Sequence, residues 1–291
     1  MKKIFIIIGL IAAVILIIIA ARFNLIKLLR VQFSIENYIA EVADTDYEEQ
    51  LKNGPVCIND KTYNNKTLSQ TDEESITKAF GLHNELNEKY MLSSIASADT
   101  DFERTLQLLD WLTEHTYYNG MQMRGVTDNA VDILEFSFDK PFSNAINCRN
   151  KAIAFADCLV AVGIKAYPVC MISSDFTGVH FTCMAYISEL DKWCSFDPSF
   201  GCWFSDESGS PLGIFEIRDL FINGKEPVVN GYNFNGTTEC FDVYMNGFLK
   251  YCISNLSTWD NNSMEKRDTK NVYKRKSFTS EIPTEATAAM N

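Results

Sequence analysis

The chain opens with an unbroken apolar run from Ile4 to Ala21, preceded by two lysines. Helical residues rising about 1.5 Å each would carry this run across roughly 27 Å, close to the ~30 Å hydrocarbon core of a bilayer. We therefore predict that residues 1–30 form a transmembrane anchor, with residues 4–21 crossing the cell membrane once. A cleaved signal peptide ending near Ala21 is the alternative, although such peptides usually have a shorter apolar region, about 7–15 residues. The usual export geometry places the following domain outside the cytoplasm, either tethered or secreted.

The balance of polar and apolar positions divides the remaining chain into three parts. Residues 31–71 are acidic and rich in Asn, which predicts a spacer. Residues 72–260 carry apolar residues at regular spacings and are predicted to form the globular domain. Residues 261–291 are polar without apolar periodicity, which predicts a mobile tail.

Helical periodicity comes first within the globular domain. Over residues 72–92, and again after Thr100, apolar residues recur three or four positions apart, as in a helix with one buried face. Thr100 and Glu103 have the spacing of a capping box for the second helix. A further helix is predicted over residues 147–162, where one face is apolar and Gly163 follows as a natural C-cap.

The pattern then changes to that of strands. Three short segments rich in strand-forming residues follow, over 165–172, 179–187 and 192–196, with turn residues between them. Helices followed by antiparallel strands predict an α+β domain. Residues 205–213 are predicted to be a surface loop, and residues 214–220 a helix.

Charge and cysteine usage narrow the possible partners. Residues 31–291 hold 21 basic and 38 acidic residues, a net charge of −17, which argues against nucleic acid because phosphate binding needs a basic surface. None of the nine cysteines forms a C-x-x-C pair, which weakens zinc and thioredoxin interpretations, and we predict neither metal nor cofactor. Four cysteines within apolar runs are predicted to be buried small hydrophobic residues, with disulfides as the alternative in an oxidising compartment: Cys158, Cys170, Cys183 and Cys194.

Cys148 differs from the other cysteines because it lies in the predicted first turn of a helix. A helix N-terminus carries partial positive charge and unpaired N–H groups, which stabilise a thiolate and could bind a developing oxyanion. Arg149 and Lys151 add positive charge nearby. Position alone therefore makes Cys148 the best candidate for a nucleophile.

A thiolate nucleophile needs a base, and the base needs a third group to orient it. The chain has three histidines. His83 lies in a polar helical stretch and is predicted to be a solvated surface residue, and His115 lies near the end of a helix. His180 lies in a strand, and Asp197, held by the following proline, closes the next strand. A core histidine and a turn-initiating aspartate are the alternatives for these two residues.

These residues carry a resemblance to the transglutaminase-like superfamily. The segment from Asn147 to Val169 resembles the cysteine helix and first strand of that family, and K-W-x-x-x-D-P at Lys192–Pro198 resembles its aspartate strand. The order Cys, His, Asp is also the family's. The resemblance covers about residues 100–225, and it departs from the family where Ala145-Ile146-Asn147, rather than glycine, precedes the cysteine.

The resemblance implies a papain-like α+β core in which a cysteine helix packs on a small antiparallel sheet. Cys148 would be the nucleophile, His180 the general base and then acid, and Asp197 the orienting acid. The family attacks amide or peptide carbonyls through a thioester, and we favour hydrolysis slightly over acyl transfer. The substrate would be a peptide or protein, and the predicted location suggests the cell wall or cell surface. No calcium-binding acidic loop is evident, so calcium dependence is not implied.

Two alternatives stay open at this point. The first is a catalytically inactive extracellular binding or scaffold module on the same fold. The second is a papain-like cell-wall peptidase of another family, for which a second histidine or a glutamine in the site would be expected. Thiol reactivity separates the enzyme from the inactive module.

Overall fold

The computed structural model describes residues 83–120, 129–141, 143–172, 179–238, 241, 244–245, 255–259 and 275–277. The predicted membrane segment at residues 4–21 and the predicted spacer at 31–71 lie outside these residues. Among the described helices, none combines the length and the apolar character that crossing a bilayer requires.

Three helices of the domain begin at polar side-chain caps, which are Thr100, Asn129 and Asn147. Residues 83–90 are helical, and five further helices follow in the described part of the chain: α1 (Leu92–Ile95), α2 (Asp101–His115), α3 (Ala130–Asp139), α4 (Cys148–Ala161) and α5 (Ile214–Ile222). Thr100 caps α2 as predicted, because its hydroxyl accepts from the Glu103 N–H at 3.2 Å and donates to the Glu103 carboxylate at 2.9 Å. Such caps satisfy backbone donors that have no partner within the helix.

The strands form one antiparallel sheet. They are β1 (Ala166–Ile172), β2 (Val179–Ile187), β3 (Lys192–Asp197), β4 (Cys202–Ser205), β5 (Val228–Asn230), β6 (Asn255–Trp259) and β7 (Arg275–Ser277). Their order across the sheet is β5-β4-β3-β2-β1-β6-β7. The long strands β1 and β2 therefore lie inside the sheet, and the three-residue strands β5 and β7 lie at its two edges.

Successive side chains along each strand point to opposite faces of the sheet, so the hydrophobic core has one part on each face. Cys183, Ala185 and Phe196 pack with apolar residues of α4, so the cysteine helix covers one face. Met184 and Trp193, which point to the other face, pack with Ile214, Ile217 and Phe221 of α5. The burial of both faces explains why the strands between residues 166 and 196 are nearly continuous in apolar residues.

The α+β fold and the order of its central elements agree with the sequence analysis. The helix predicted over 147–162 spans Cys148–Ala161, and the three predicted strands are present within one or two residues of their expected ends. The observed sheet has seven strands and is larger than the small sheet that we expected. Strands β4 to β7 were not predicted because each has too few residues to show a recognisable sequence pattern. Within the predicted tail over 261–291, the structure describes only β7, which pairs with β6.

Candidate active site

Cys148 is the first residue of α4. The side chain of Asn147 caps this helix, accepting a hydrogen bond from the Asn150 N–H at 3.0 Å. Cys148 is partly exposed, whereas the other described cysteines, the four predicted to be buried among them, are buried free thiols. A capped helix N-terminus with an accessible sulfur is the arrangement that favours a reactive thiolate.

His180 and Asp197 meet across neighbouring strands. The last paired residues of β2 and β3 are Cys183 and Phe196, and Asp197 is the next residue of β3. Because side chains alternate between the two faces of a sheet, Asp197 and His180 point to the same face. His180 Nε2 lies 2.7 Å from Asp197 Oδ2. Both side chains are fully buried, and a hydrogen bond this short between buried groups of opposite charge is strong.

Cys148 also interacts with this imidazole ring, and the interaction contributes to the pKa of His180. Burial lowers the pKa of His180, but the charge of Asp197, the hydrogen bond to Asp197 and the contact with Cys148 outweigh burial and raise the pKa from 6.5 to about 10. The imidazole is therefore a cation at neutral pH, between a carboxylate and a sulfur.

Asp197 accepts further hydrogen bonds that hold its carboxylate in place. The Ser199 N–H donates to Oδ1 at 2.9 Å, and the Tyr244 hydroxyl donates to Oδ2 at 3.0 Å. The first contact belongs to the tight turn that follows β3, where an aspartate commonly bonds the backbone two residues on. Each oxygen of Asp197 is thus held by a donor besides His180.

Lys151 lies on α4, three positions after Cys148, and is almost completely buried. Its ammonium group donates a hydrogen bond to the Thr116 carbonyl oxygen at 3.1 Å, which links α4 to the residue after α2. Burial lowers the pKa of Lys151 from 10.5 to about 7, and the charge of Asp197 opposes this effect. Sequence analysis placed Lys151 near the thiol but did not predict its burial.

Aromatic rings close the site behind His180 and Asp197. The ring of Phe200 lies 5.8 Å from that of His180 and 4.3 Å from that of Tyr244, measured between centroids. Three more rings pack around Phe200: Tyr118, Tyr232 and Phe234. This apolar shell lowers the local dielectric and so strengthens the interactions between the charges inside it.

The other two histidines lie away from these contacts. His83 is fully buried, and its Nε2 lies 3.3 Å from Asp157 Oδ1, so the prediction of a solvated His83 is wrong. The physical reason is that a partner on α4 satisfies the ring inside the core. His115 is the last residue of α2, as expected, and its Nδ1 lies 2.8 Å from the Trp111 carbonyl oxygen.

Two contributors to the site were missed by sequence analysis. Tyr244 follows Asp197 by 47 positions, in a stretch without a helical or strand pattern, so no local signal marks it. The role of Ser199 depends on its backbone N–H, which every residue but proline possesses. Among the residues that the structure describes, no three His, Cys, Asp or Glu side chains are grouped closely enough to hold a metal ion.

Comparisons with known proteins add little to this geometry. No model of a known protein family matches the chain, and no curated protein matches it. A "putative protease" from Parabacteroides distasonis aligns with 43% of this chain and 26% of its own, at 12% identity and a TM-score of 0.29. A "putative cysteine protease" from Cytophaga hutchinsonii aligns with 53% of this chain and 47% of its own, at 17% identity and a TM-score of 0.29. Likenesses this low assign neither a fold nor an activity.

Proposed function

We propose that this chain is a thiol enzyme of the transglutaminase-like superfamily with a papain-like core, acting on amide or peptide carbonyls. Cys148 is the nucleophile, His180 the proton donor and acceptor, and Asp197 the orienting carboxylate. The observation that carries the proposal is the position of His180, which lies 2.7 Å from Asp197 and close enough to Cys148 for the thiol to contribute to raising its pKa. A nucleophile, a base and an orienting acid that lie next to one another are the requirement for this chemistry.

The protonation state of the site suits attack by a thiolate. Because the pKa of His180 is raised to about 10, the ring carries a proton at neutral pH and places a positive charge beside the sulfur. A thiolate next to an imidazolium is a competent nucleophile without a separate deprotonation step. The buried carboxylate of Asp197 compensates the positive charge of the ring.

The proposed reaction has two halves, formation of a thioester on Cys148 and then its cleavage. The sulfur of Cys148 bonds to the carbonyl carbon, and the carbonyl electrons move to oxygen, where the Cys148 N–H at the start of α4 is a candidate donor. His180 gives its proton to the leaving nitrogen, the carbon–nitrogen bond breaks, and a thioester remains on Cys148. Water or an amine next loses a proton to His180 and attacks the thioester carbon, the carbon–sulfur bond breaks, and the acid or a new amide is released, which leaves Cys148 as a thiolate beside protonated His180.

Hydrolysis is our preferred outcome for the second half, because no site for an amine acceptor is recognisable in the part of the chain that the structure describes. The substrate we propose is a peptide or protein of the cell wall or surface. This choice depends on the predicted membrane segment at residues 4–21, which would tether the domain outside the cytoplasm.

Incubation with peptide substrates tests the proposal. The full-length chain in detergent is mixed with casein and with peptidoglycan-derived peptides, with and without hydroxylamine, and the products are identified by mass spectrometry. We expect cleavage products, and hydroxamates when hydroxylamine competes with water for the thioester. Cys148→Ala should abolish both products, whereas Cys158→Ala, a buried cysteine farther along the same helix, should retain them. Undiminished turnover by Cys148→Ala would refute the assignment of the nucleophile.

The inactive binding module predicts another outcome. In that case no product forms, and iodoacetamide labels Cys148 no faster than the remaining cysteines.

A further inference from the structure

We propose that Arg218 binds a carboxylate of the peptide substrate, so that the enzyme prefers acidic peptides. The inference rests on the proposed function of Cys148, His180 and Asp197, and it adds the class of substrate. Its starting point is a positive side chain that is enclosed by the protein and lacks a negative partner among the described residues.

Arg218 lies on the buried side of α5, with Ile214, Ile217 and Phe221, and is only 7% exposed. Its Nε has no hydrogen-bond partner, and no ion pair of Arg218 occurs in the described part of the chain. Arginine keeps its positive charge in proteins, and a charge taken out of water without a partner is costly. An anion that is not among the described side chains should therefore compensate the charge of Arg218.

The two acidic residues of α5 do not supply this anion. Glu216 Oε2 lies 2.8 Å from Lys192 Nζ, and it also accepts from the Gly213 N–H at 2.8 Å. Asp219 is exposed and directly follows Arg218, and consecutive residues of a helix do not face each other. The net charge of residues 31–291 is −17, so no general attraction of anions to the domain is expected. Any preference for a carboxylate must therefore come from a local site.

The helix that carries Arg218 lies on the same side of the sheet as the catalytic pair. Residues of α5 pack with Met184 of β2 and Trp193 of β3. Because side chains alternate along each strand, His180 points to the same face as Met184, and Asp197 to the same face as Trp193. A subsite that serves the same substrate as Cys148 must lie on this side of the sheet.

A second polar atom without a partner lies beside the start of α5. Ser195 pairs with Met184 and shares its face of the sheet, and the buried Ser195 Oγ has no hydrogen-bond partner in the described part of the chain. The Ser195 N–H donates to the carbonyl oxygen of Leu212, two residues before α5, at 2.8 Å. Ser195 precedes Asp197 by two residues, about 7 Å along a strand. Its hydroxyl is a candidate second donor to a carboxylate that the planar guanidinium of Arg218 binds through two N–H groups.

The first test measures binding and needs no turnover. The melting temperature of the full-length chain in detergent is measured with N-acetylglycine, N-acetylglycinamide or inorganic phosphate at equal ionic strength. We expect N-acetylglycine to raise the melting temperature of the wild type and N-acetylglycinamide to leave it unchanged. Arg218→Met should lose this response, and Lys225→Met, which removes an exposed cation just after α5, should keep it. Without ligand, Arg218→Met should melt no lower than the wild type, because it removes an uncompensated buried charge.

The second test measures selectivity with pairs of peptide substrates that carry Glu or Gln at one position near the cleaved bond. At one of these positions the wild type should have a kcat/KM at least about tenfold higher for the Glu peptide, as expected for a charged hydrogen bond. Arg218→Met should lose this preference, and Lys225→Met should retain it. A preference that Arg218→Met keeps in full would overturn the proposal.

The possible outcomes separate this proposal from the proposed function. The carboxylate site is overturned if N-acetylglycine does not stabilise the wild type, if phosphate alone does, or if Arg218→Met responds as the wild type does. A lower melting temperature of Arg218→Met without ligand, or its failure to fold, also overturns the site, since the chain itself then holds the partner of the guanidinium. Turnover without any of these carboxylate effects leaves the proposed function standing. A response to N-acetylglycine that depends on Arg218, in a protein that turns over no peptide, supports the site and refutes the proposed function.

Discussion

The buried ammonium group of Lys151 should make the stability of this domain depend on pH in a way that Lys151→Met removes. Methionine has a similar length and no charge, so the variant keeps most of the packing on α4. It loses one hydrogen bond, from Nζ to the Thr116 carbonyl oxygen at 3.1 Å. The expected result is a variant that is more stable than the wild type at pH 6 and loses this advantage as the pH rises.

The magnitude follows from the pKa of Lys151. The pKa falls from 10.5 to about 7. At ~1.36 kcal/mol for each pKa unit, the folded state therefore disfavours the charged form of Lys151 by about 5 kcal/mol. The folded chain binds the proton less tightly than the unfolded chain, so the lysine destabilises the fold below pH 7, and this cost declines as the pH rises from about 7 to 10.5. Between pH 7 and pH 9 the difference between variant and wild type should shrink by about 2 kcal/mol.

The assay must compare two proteins, because His180 changes total stability in the opposite direction. The pKa of His180 is raised from 6.5 to about 10, so its contribution is complete below pH 6.5 and is lost as the pH rises through 10. The free energy of unfolding is therefore measured in urea for Lys151→Met and wild type at pH 6, 7, 8 and 9. Both proteins contain His180, so its contribution cancels in the difference between them. The exposed Lys165, changed to methionine, serves as control and should show a difference independent of pH. A Lys151→Met difference that is equally independent of pH would refute the reasoning.

Three further substitutions test individual contacts. Asn147→Ala removes the cap of α4 and should cost about 1 kcal/mol and slow iodoacetamide labelling of Cys148, whereas Asn129→Ala, which removes the equivalent cap of α3, should cost as much without altering the labelling rate. Equal labelling rates in the two variants would show that the cap of α4 serves stability alone. Asp157→Ala leaves His83 buried without this carboxylate and should cost about 2 kcal/mol in urea unfolding. Unchanged stability in this last variant would mean that the pair at 3.3 Å contributes nothing.

The central elements of the fold were predictable because their signals are local. The apolar face of α4 and the glycine at position 163 fix the ends of that helix, and Gly163 indeed has a left-handed φ of 87°. Strands β1 to β3 are long enough for their composition to be recognised. By contrast, β4 has four residues and β5 has three, so their pairing depends on neighbours rather than on a pattern.

The candidate site was predictable only in part, for the same reason. Cys148, His180 and Asp197 each lie at a recognisable place in a helix or strand, and the resemblance to a family connected them. Tyr244 lies far along the chain from its partner, and its contribution arises from packing. His83 was misjudged because its immediate neighbours are polar, while Asp157, which it contacts in the core, is 74 positions away. Burial and long-range pairing are tertiary properties that a local pattern does not contain.

The protonation state of His180 is the property on which the account depends most. Ring-labelled histidine allows its titration by NMR, and only three histidines contribute signals, one of which disappears in His180→Gln. We predict that this signal titrates with a pKa of about 10, and that Cys148→Ala and Asp197→Asn both lower it. If the signal of His180 titrates near the ordinary 6.5 and does not respond to either substitution, the ring is not held as a cation between Asp197 and Cys148, and the proposed thiol chemistry is contradicted.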